Sequence, residues 1–309
     1  MISQANPVSS YSDLLREAGA QLGTRKKLLA LRTLLLIWPV FIFAAVVLFG
    51  EKFFPQGKVP ENFADPFWIA FLITGFLAFV YYVFMSFIFE IEKRIWIDSF
   101  FDQRNLTSWE SWRIARKLFF PTLGASWGIL WRYYLPAFLV YAFLLVVFVG
   151  NAFFSSDIVQ DTIVLTGGAV LIMIYLVVVT MKLRFMWFVF LDRYGREAFS
   201  IKTLLMEMRA LNAISKGEAF RKALVTELGS SALTVITKQM VRILQSGFGL
   251  LGYGGKIFGA FFGIFGKEFT KQAVDLGKIA ALYVLYRHAR IILHGTSQEV
   301  NEYIYNLRK

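Results

Sequence analysis

"FWIAFLITGFLAFVYYVFMSFIF", Phe67 to Phe89, contains no acid, base or histidine. An α-helix crossing the hydrocarbon core needs ~20 mostly apolar residues. In lipid every backbone N–H and C=O must be satisfied within the protein, so a run of this kind is read as a helix. The same reading applies to three further stretches, each also free of ionisable residues: Thr33 to Gly50, Tyr133 to Gly150 with apolar sequence preceding it, and Thr162 to Met181. Pro39 and Pro136 lie inside spans, where neighbouring groups can re-satisfy a lost backbone bond, and both are expected to kink their helices.

Composition agrees. The chain has 309 residues, 57% of them hydrophobic and 17% charged, against about 45–50% and about 25% in soluble domains. There is no cysteine, so disulfides, thiolate catalysis and cysteine-held metals are excluded. His288 and His294, six apart on different helix faces, make a poor metal pair. No cofactor is expected.

The net charge of +12 would suit nucleic acid if it were spread evenly. It is not. The segment before the first span, the loop 90–132 and the chain after Met181 together carry +15, whereas the loops 51–66 and 151–161 carry −3. Lysine and arginine gather on the cytoplasmic side of a membrane protein. Both termini are therefore expected in the cytoplasm, with anionic lipid headgroups rather than nucleic acid as partners. The first apolar run follows some thirty polar residues and lacks a small-residue cleavage pattern, which argues against a secretory signal peptide. Compact size and short outer loops point to a bacterial inner membrane. "NLT" at Asn105 matches a glycosylation pattern but falls in the cytoplasmic loop, and is read as chance.

Between and after the spans, the loop 90–132 is rich in tryptophan and arginine. It is read as one or two helices on the cytoplasmic surface, joined at "DQRNLTS". Beyond Lys182 an aromatic run is expected to continue the fourth helix. "SIKTLLMEMRALNAI" then places Ile201, Leu204, Leu205, Met208 and Leu211 on one helical face, and "SALTVITKQMVRIL" repeats this through Leu233, Ile236, Met240 and Ile243. "SKGE" at Ser215 to Glu218 has capping-box spacing. A helix over Phe269 to Leu293 carries Lys271, Asp275 and Lys278 on one side, and a short helix over Gln298 to Leu307 closes the chain.

"GKIFGAFFGIFGK", Gly255 to Lys267, is the unusual element. Nearby, "GFGLLG" at Gly247 to Gly252 matches G-x-G-x-x-G by letter, but a helical segment precedes it where the dinucleotide fingerprint needs a strand. A phosphate loop fails too: Leu250 stands where a glycine is required and Ile257 where a Ser or Thr would hold magnesium. A single crossing would put Lys256 mid-membrane at roughly 2.5–3.5 kcal/mol, and would carry Lys271, Lys278, Arg287 and Arg290 to the wrong side. On a helical projection Gly252, Gly255, Gly259, Gly263 and Gly266 share a sector of about 80°. Lys256 and Lys267 adjoin it, and Phe258, Phe261, Phe262 and Phe265 lie opposite the lysines. Two arrangements suit this layout. One is a helix in the membrane interface with its phenylalanines among acyl chains. The other is a glycine-packed helical hairpin within the chain's own bundle. Gly255, Gly259, Gly263, Gly266, Phe258, Phe261, Phe262, Phe265, Lys256 and Lys267 are the expected membrane or partner interface.

Other polar groups offer little chemistry. Glu90 and Glu92 beside Lys93 and Arg94 read as interfacial anchors, and Arg132 as a snorkelling side chain. "LDRYG" at Leu191 to Gly195 reads as a structural elbow. A headgroup enzyme would have to draw on Glu90, Glu92, Asp98, Asp102 and Asp192. The expectation is an all-α polytopic membrane protein. It comprises a cytoplasmic segment over 1–32, a four-helix transmembrane region over 33–181 with an amphipathic cytoplasmic loop at 90–132, and a helical cytoplasmic region over 182–309 with a glycine-rich interfacial element at 247–266. Four spans without an ionisable group argue against a pump or proton-coupled transporter and point away from an enzyme. A scaffold or assembly subunit is favoured, binding other membrane-complex subunits or itself. A lipid or small-solute transporter or channel gated by the glycine/phenylalanine helix is the alternative.

Overall fold

In the computed structural model the described residues are Arg16, Gly23, 25–43, 66–101, 106–154, 158–193, 200–214, 218–250 and 252–294. Apart from short connections they are helical, and no strand occurs among them. We label the helices α1 (25–43), α2 (Pro66–Phe101), α3 (Ser108–Ile129), α4 (Leu135–Phe154), α5 (Ile158–Leu183), α6 (Met186–Arg193), α7 (Ile201–Ile214), α8 (Glu218–Gly249) and α9 (Gly252–His294). Three continuous helical stretches are long and apolar enough to cross a membrane: Trp68–Phe101, Ser108–Val149 and Thr162–Asp192. The expected first crossing is helical as far as Phe43. Its remainder, the outer loop 51–65, Asn105 and the closing helix at Gln298 to Leu307 lie outside the described residues.

The spans are longer than their apolar cores. No glycine or proline interrupts 76–101, so α2 runs on past Phe89. It buries Ile88, Ile91, Ile95, Trp96 and Ile97. The stretch 90–132 is helical on both sides of 102–107, as expected: its first part continues α2 to Phe101 and its second is α3, which leads through Leu130–Tyr134 into α4. A capping box opens α3: the Thr107 N–H donates to the Glu110 carboxylate at 2.9 Å, and the Glu110 N–H donates to Thr107 Oγ1 at 3.3 Å. Between α3 and α4 lies one π-helical turn, Leu130–Tyr134, in which the Leu135 N–H reaches Leu130 O. Pro136 follows directly. Proline cannot donate to the helix and its ring crowds the preceding turn, and the wider turn relieves that crowding. The fourth span runs on into the aromatic stretch as far as Asp192, as expected, with a turn at Arg184 and Phe185 before α6.

The chain divides into two compact units, Met1–Phe119 with Thr226–Ala281, and Phe120–Val225 with Leu282–Lys309. In the first, Leu36, Ile37, Ile88, Trp96, Leu276 and Ala280 are buried. In the second, α7 turns Leu204, Leu205, Met208 and Leu211 inward, as its periodicity predicts. Phe188 stacks on Tyr286 at 5.4 Å between centroids, and Asn212 Nδ2 donates to Lys182 O at 2.7 Å, tying α7 to α5. The spans face outward with large apolar side chains, among them Leu72, Phe76 and Phe79 of α2 and Phe138 and Phe143 of α4.

On α8, Leu233, Ile236, Met240 and Ile243 share a helical face, as their spacing predicts, and that face is exposed, Ile243 by 71%. The inward seam is Ser230, Thr234, Thr237, Val241, Gln245 and Phe248, smaller and more polar residues set against glycines.

Candidate functional site

The glycine element is the first half of α9, continuous with the helix predicted to begin at Phe269. It folds back on α8 through a turn at 250–252, where Gly252 has φ 77°, a conformation L side chains rarely adopt. Of the two predicted arrangements, the glycine stripe is engaged in the hairpin. A Cβ at Gly259 would lie 2.9 Å from Phe248 Cβ and 3.2 Å from Gln245 O. At Gly263 it would meet the Gln245 side chain, and at Gly266 it would come 3.2 Å from Val241. Gly255 is half-buried nearer the turn, and Lys256 is exposed. Lys267 Nζ crosses the hairpin to Gln245 Oε1 at 3.3 Å.

The four phenylalanines divide between two neighbours. Phe258 and Phe262 hold Phe248 of α8, with centroids 5.1 and 5.4 Å away. Phe261 stacks on Phe41 of α1 at 4.3 Å, and Phe265 follows Phe261 at 6.3 Å, nearly coplanar. Gly259, Gly263 and Gly266 thus face α8 within the chain, and the phenylalanines contact α8 and α1.

A buried ionic cluster lies at the end of the second span in the same unit. Arg32 grips Glu92 with two bonds, Nε to Oε2 at 3.0 Å and Nη2 to Oε1 at 3.1 Å. Ser111 donates to Glu92 at 2.9 Å and accepts from the Trp96 indole at 2.9 Å. The guanidinium of Arg32 also lies 4.4 Å from the Trp112 ring centroid, a cation–π contact. Lys93 is fully buried; it donates to Glu90 and, at 2.8 Å, to Gln272 of α9, and lies 3.9 Å from Asp275. Arg94 returns to Glu90 Oε2 at 3.2 Å. Glu90 and Glu92 are therefore not a facing carboxylate pair. Each is matched to a base, and the matches bind α1, α2, α3 and α9.

On α9, burial raises the Asp275 carboxyl above its ordinary value; Glu90 adds to this, while Lys93, Lys271 and Lys278 oppose it. Lys278 pairs with Glu227 of α8 at 2.6 Å. In the second unit, Asp192 accepts from Tyr286 and Arg290 together. Burial, followed by the Asp192 charge, pushes the Tyr286 hydroxyl well up. Asp192 thus ties α6 to the C-terminal part of α9; the rest of the expected elbow, 194–195, lies outside the described residues.

These ties were not visible in the sequence. Arg32 and Glu92 are 60 residues apart and Lys93 and Gln272 are 179 apart, and single-chain periodicity carries no signal at such separations. Among the described residues no cluster of three His, Cys, Asp or Glu side chains is placed to hold a metal. Comparison with known proteins gives no family for this chain: no family model matches it, and neither a curated protein nor a solved structure matches it.

Proposed function

We propose that this protein is a non-catalytic integral membrane scaffold or assembly subunit. In this reading both termini are cytoplasmic, four apolar spans sit in a bacterial inner membrane, and the basic helical region after Met181 docks other components. The observation that carries it is where the charge goes. The buried ionisable side chains Glu92 and Lys93 are spent on ties between helices, which rigidify the base of the span region. The basic side chains Lys202, Arg209 and Arg221 stand exposed. On α7, Lys202, Met206 and Arg209 follow at helical spacing opposite the buried Leu204, Leu205, Met208 and Leu211, with Met206 52% exposed. A basic rim around an exposed methionine suits an acidic partner surface, since opposite charge steers and orients docking. Reversing Lys202, Arg209 and Arg221 to Glu should release stoichiometric partners from the protein purified out of its native membrane. An unchanged set of co-purifying chains would count against the docking reading.

A second reading has one observation in its favour. Phe261 of the glycine/phenylalanine element stacks directly on Phe41, inside the predicted first span. A carrier or channel gated by that element would use this contact as its latch. Solute or lipid movement in vesicles holding the purified protein alone, accelerated by Phe261→Ala, would favour this reading over the scaffold.

A further inference from the structure

We infer that the α8–α9 hairpin is itself embedded in the bilayer, beside α1 and α2, with the outward apolar face of α8 against lipid acyl chains. The inference rests on α2 being a membrane span, and not on the scaffold reading.

Depth marks along α1 and α2 place it. Lys93–Gln272 and Arg32–Glu92 stand at the inner end of the second span. Below them, Tyr82 donates to Glu268 at 3.3 Å, and below that Phe261 stacks on Phe41. Phe41 is at the middle of the stretch Thr33 to Gly50. The eleven residues from Gln272 to Phe261 cover ~16 Å of helix, and the nine more to Gly252 cover ~14 Å. Together they equal the ~30 Å of a hydrocarbon core. Phe43, two residues or ~3 Å beyond Phe41, packs on Phe71 at 4.8 Å and would touch a Cβ at Gly75, so α1 and α2 are paired at this depth too.

The side chains sort accordingly. Leu233, Ile236, Met240, Ile243 and Leu244 of α8 and Leu250 at the turn are exposed by 49 to 89%, as are Leu72, Phe76 and Phe79 of α2. On the helical projection Ser231, Lys238, Gln239, Arg242 and Ser246 occupy a different sector from this apolar face. Val241 stands opposite Gly266, so Lys238 and Arg242 fall within ~10 Å of the Lys93–Gln272 level. From there their long stems reach the headgroups. Lys256 lies one turn from the start of α9, within reach of the opposite headgroups.

Two objections to a crossing here therefore disappear. Lys256 need not sit at mid-membrane, because the hairpin turn carries it to the far side. A pair of crossings also returns α9 to the side it left, so Lys271 and Lys278 keep company with the other bases. The close glycine-lined contact of the two arms is the packing that helices use in lipid, where small residues let backbones approach.

The chain has no cysteine, so single cysteines report depth directly. In sealed membrane vesicles, Leu72→Cys on α2, Leu250→Cys at the turn, Phe258→Cys on α9 and Arg221→Cys at the start of α8 would each be exposed to a charged, membrane-impermeant maleimide. From the side that labels Arg221→Cys, we expect Leu250→Cys and Phe258→Cys to react more than about tenfold more slowly, as Leu72→Cys does, because the hydrocarbon excludes water and charged reagents. Labelling of Leu250→Cys from the opposite side would agree as well. Fast labelling of Leu250→Cys and Phe258→Cys from the Arg221 side, with Leu72→Cys still protected, would overturn the hairpin inference alone. Fast labelling of Leu72→Cys too would overturn the membrane placement of α2 beneath it.

Discussion

Alanine should stabilise the protein at Gly277 but not at Gly259, although both glycines lie inside the same helix. Taken alone, each Gly→Ala change favours the helix by ~1 kcal/mol. At Gly277 nothing lies within 4 Å of the added methyl, so the gain should be kept, at about 0.4–1 kcal/mol. At Gly259 the new Cβ falls 2.9 Å from Phe248 Cβ and 3.2 Å from Gln245 O. Neither is the end of a flexible chain that can swing aside, so the arms must separate. Overpacking of this kind costs about 1–3 kcal/mol, which cancels the helix gain and exceeds it. Thermal unfolding of the purified protein in mild detergent reads the difference at roughly 2–4 °C per kcal/mol. We expect Gly277→Ala to raise the midpoint, Gly259→Ala to leave it unchanged or lower it, and Gly259→Leu to lower it further. Equal stabilisation by alanine at both positions would refute the close contact across the hairpin.

Further outcomes follow from the buried ties. Removing one partner of a buried ion pair leaves the other uncompensated and costs about 3–5 kcal/mol. Arg32→Ala should thus sharply lower the yield and unfolding midpoint of folded protein, and Arg32→Met with Glu92→Leu should recover much of the loss. The raised Asp275 carboxyl gives a pH signature. Its proton is held more tightly in the folded state, so this group favours folding increasingly as pH falls through its raised value towards about 4. Asp275→Asn should therefore raise the midpoint at neutral pH, with the gain fading as pH approaches the ordinary carboxylate range; a gain independent of pH would contradict this. Tyr286→Phe removes one of two donors to Asp192 but leaves Arg290. It should cost about 0.5–1.5 kcal/mol, whereas Arg290→Ala should cost more in the same unfolding assay.

Much of the architecture could be read from runs and periods, because apolar length and the spacing of Leu204, Leu205, Met208 and Leu211 are local properties. The stripe of Gly259, Gly263 and Gly266 likewise announced a close helix neighbour. Which neighbour was not legible, since a glycine face fits another chain or this one equally well. The orientation of α8 was not legible, for a physical reason. Periodicity finds the apolar face, and in water that face is the buried one. Here Leu233, Ile236, Met240 and Ile243 point outward, while Thr234, Thr237 and Gln245 line the seam; this reversal is expected of a helix whose solvent is lipid. The continuation of α2 through Glu90 and Glu92 was hidden in the same way. Charges after an apolar run look like the start of a loop until Arg32 and Gln272 arrive from distant sequence to match them.

The proposed scaffold role can be read from the mass and composition of the complex extracted gently from its native membrane. Stoichiometric foreign subunits are expected, and they should be lost when Lys202, Arg209 and Arg221 are reversed in charge. A monomer or a homo-oligomer carrying only lipid would sink the proposal in favour of a carrier or channel.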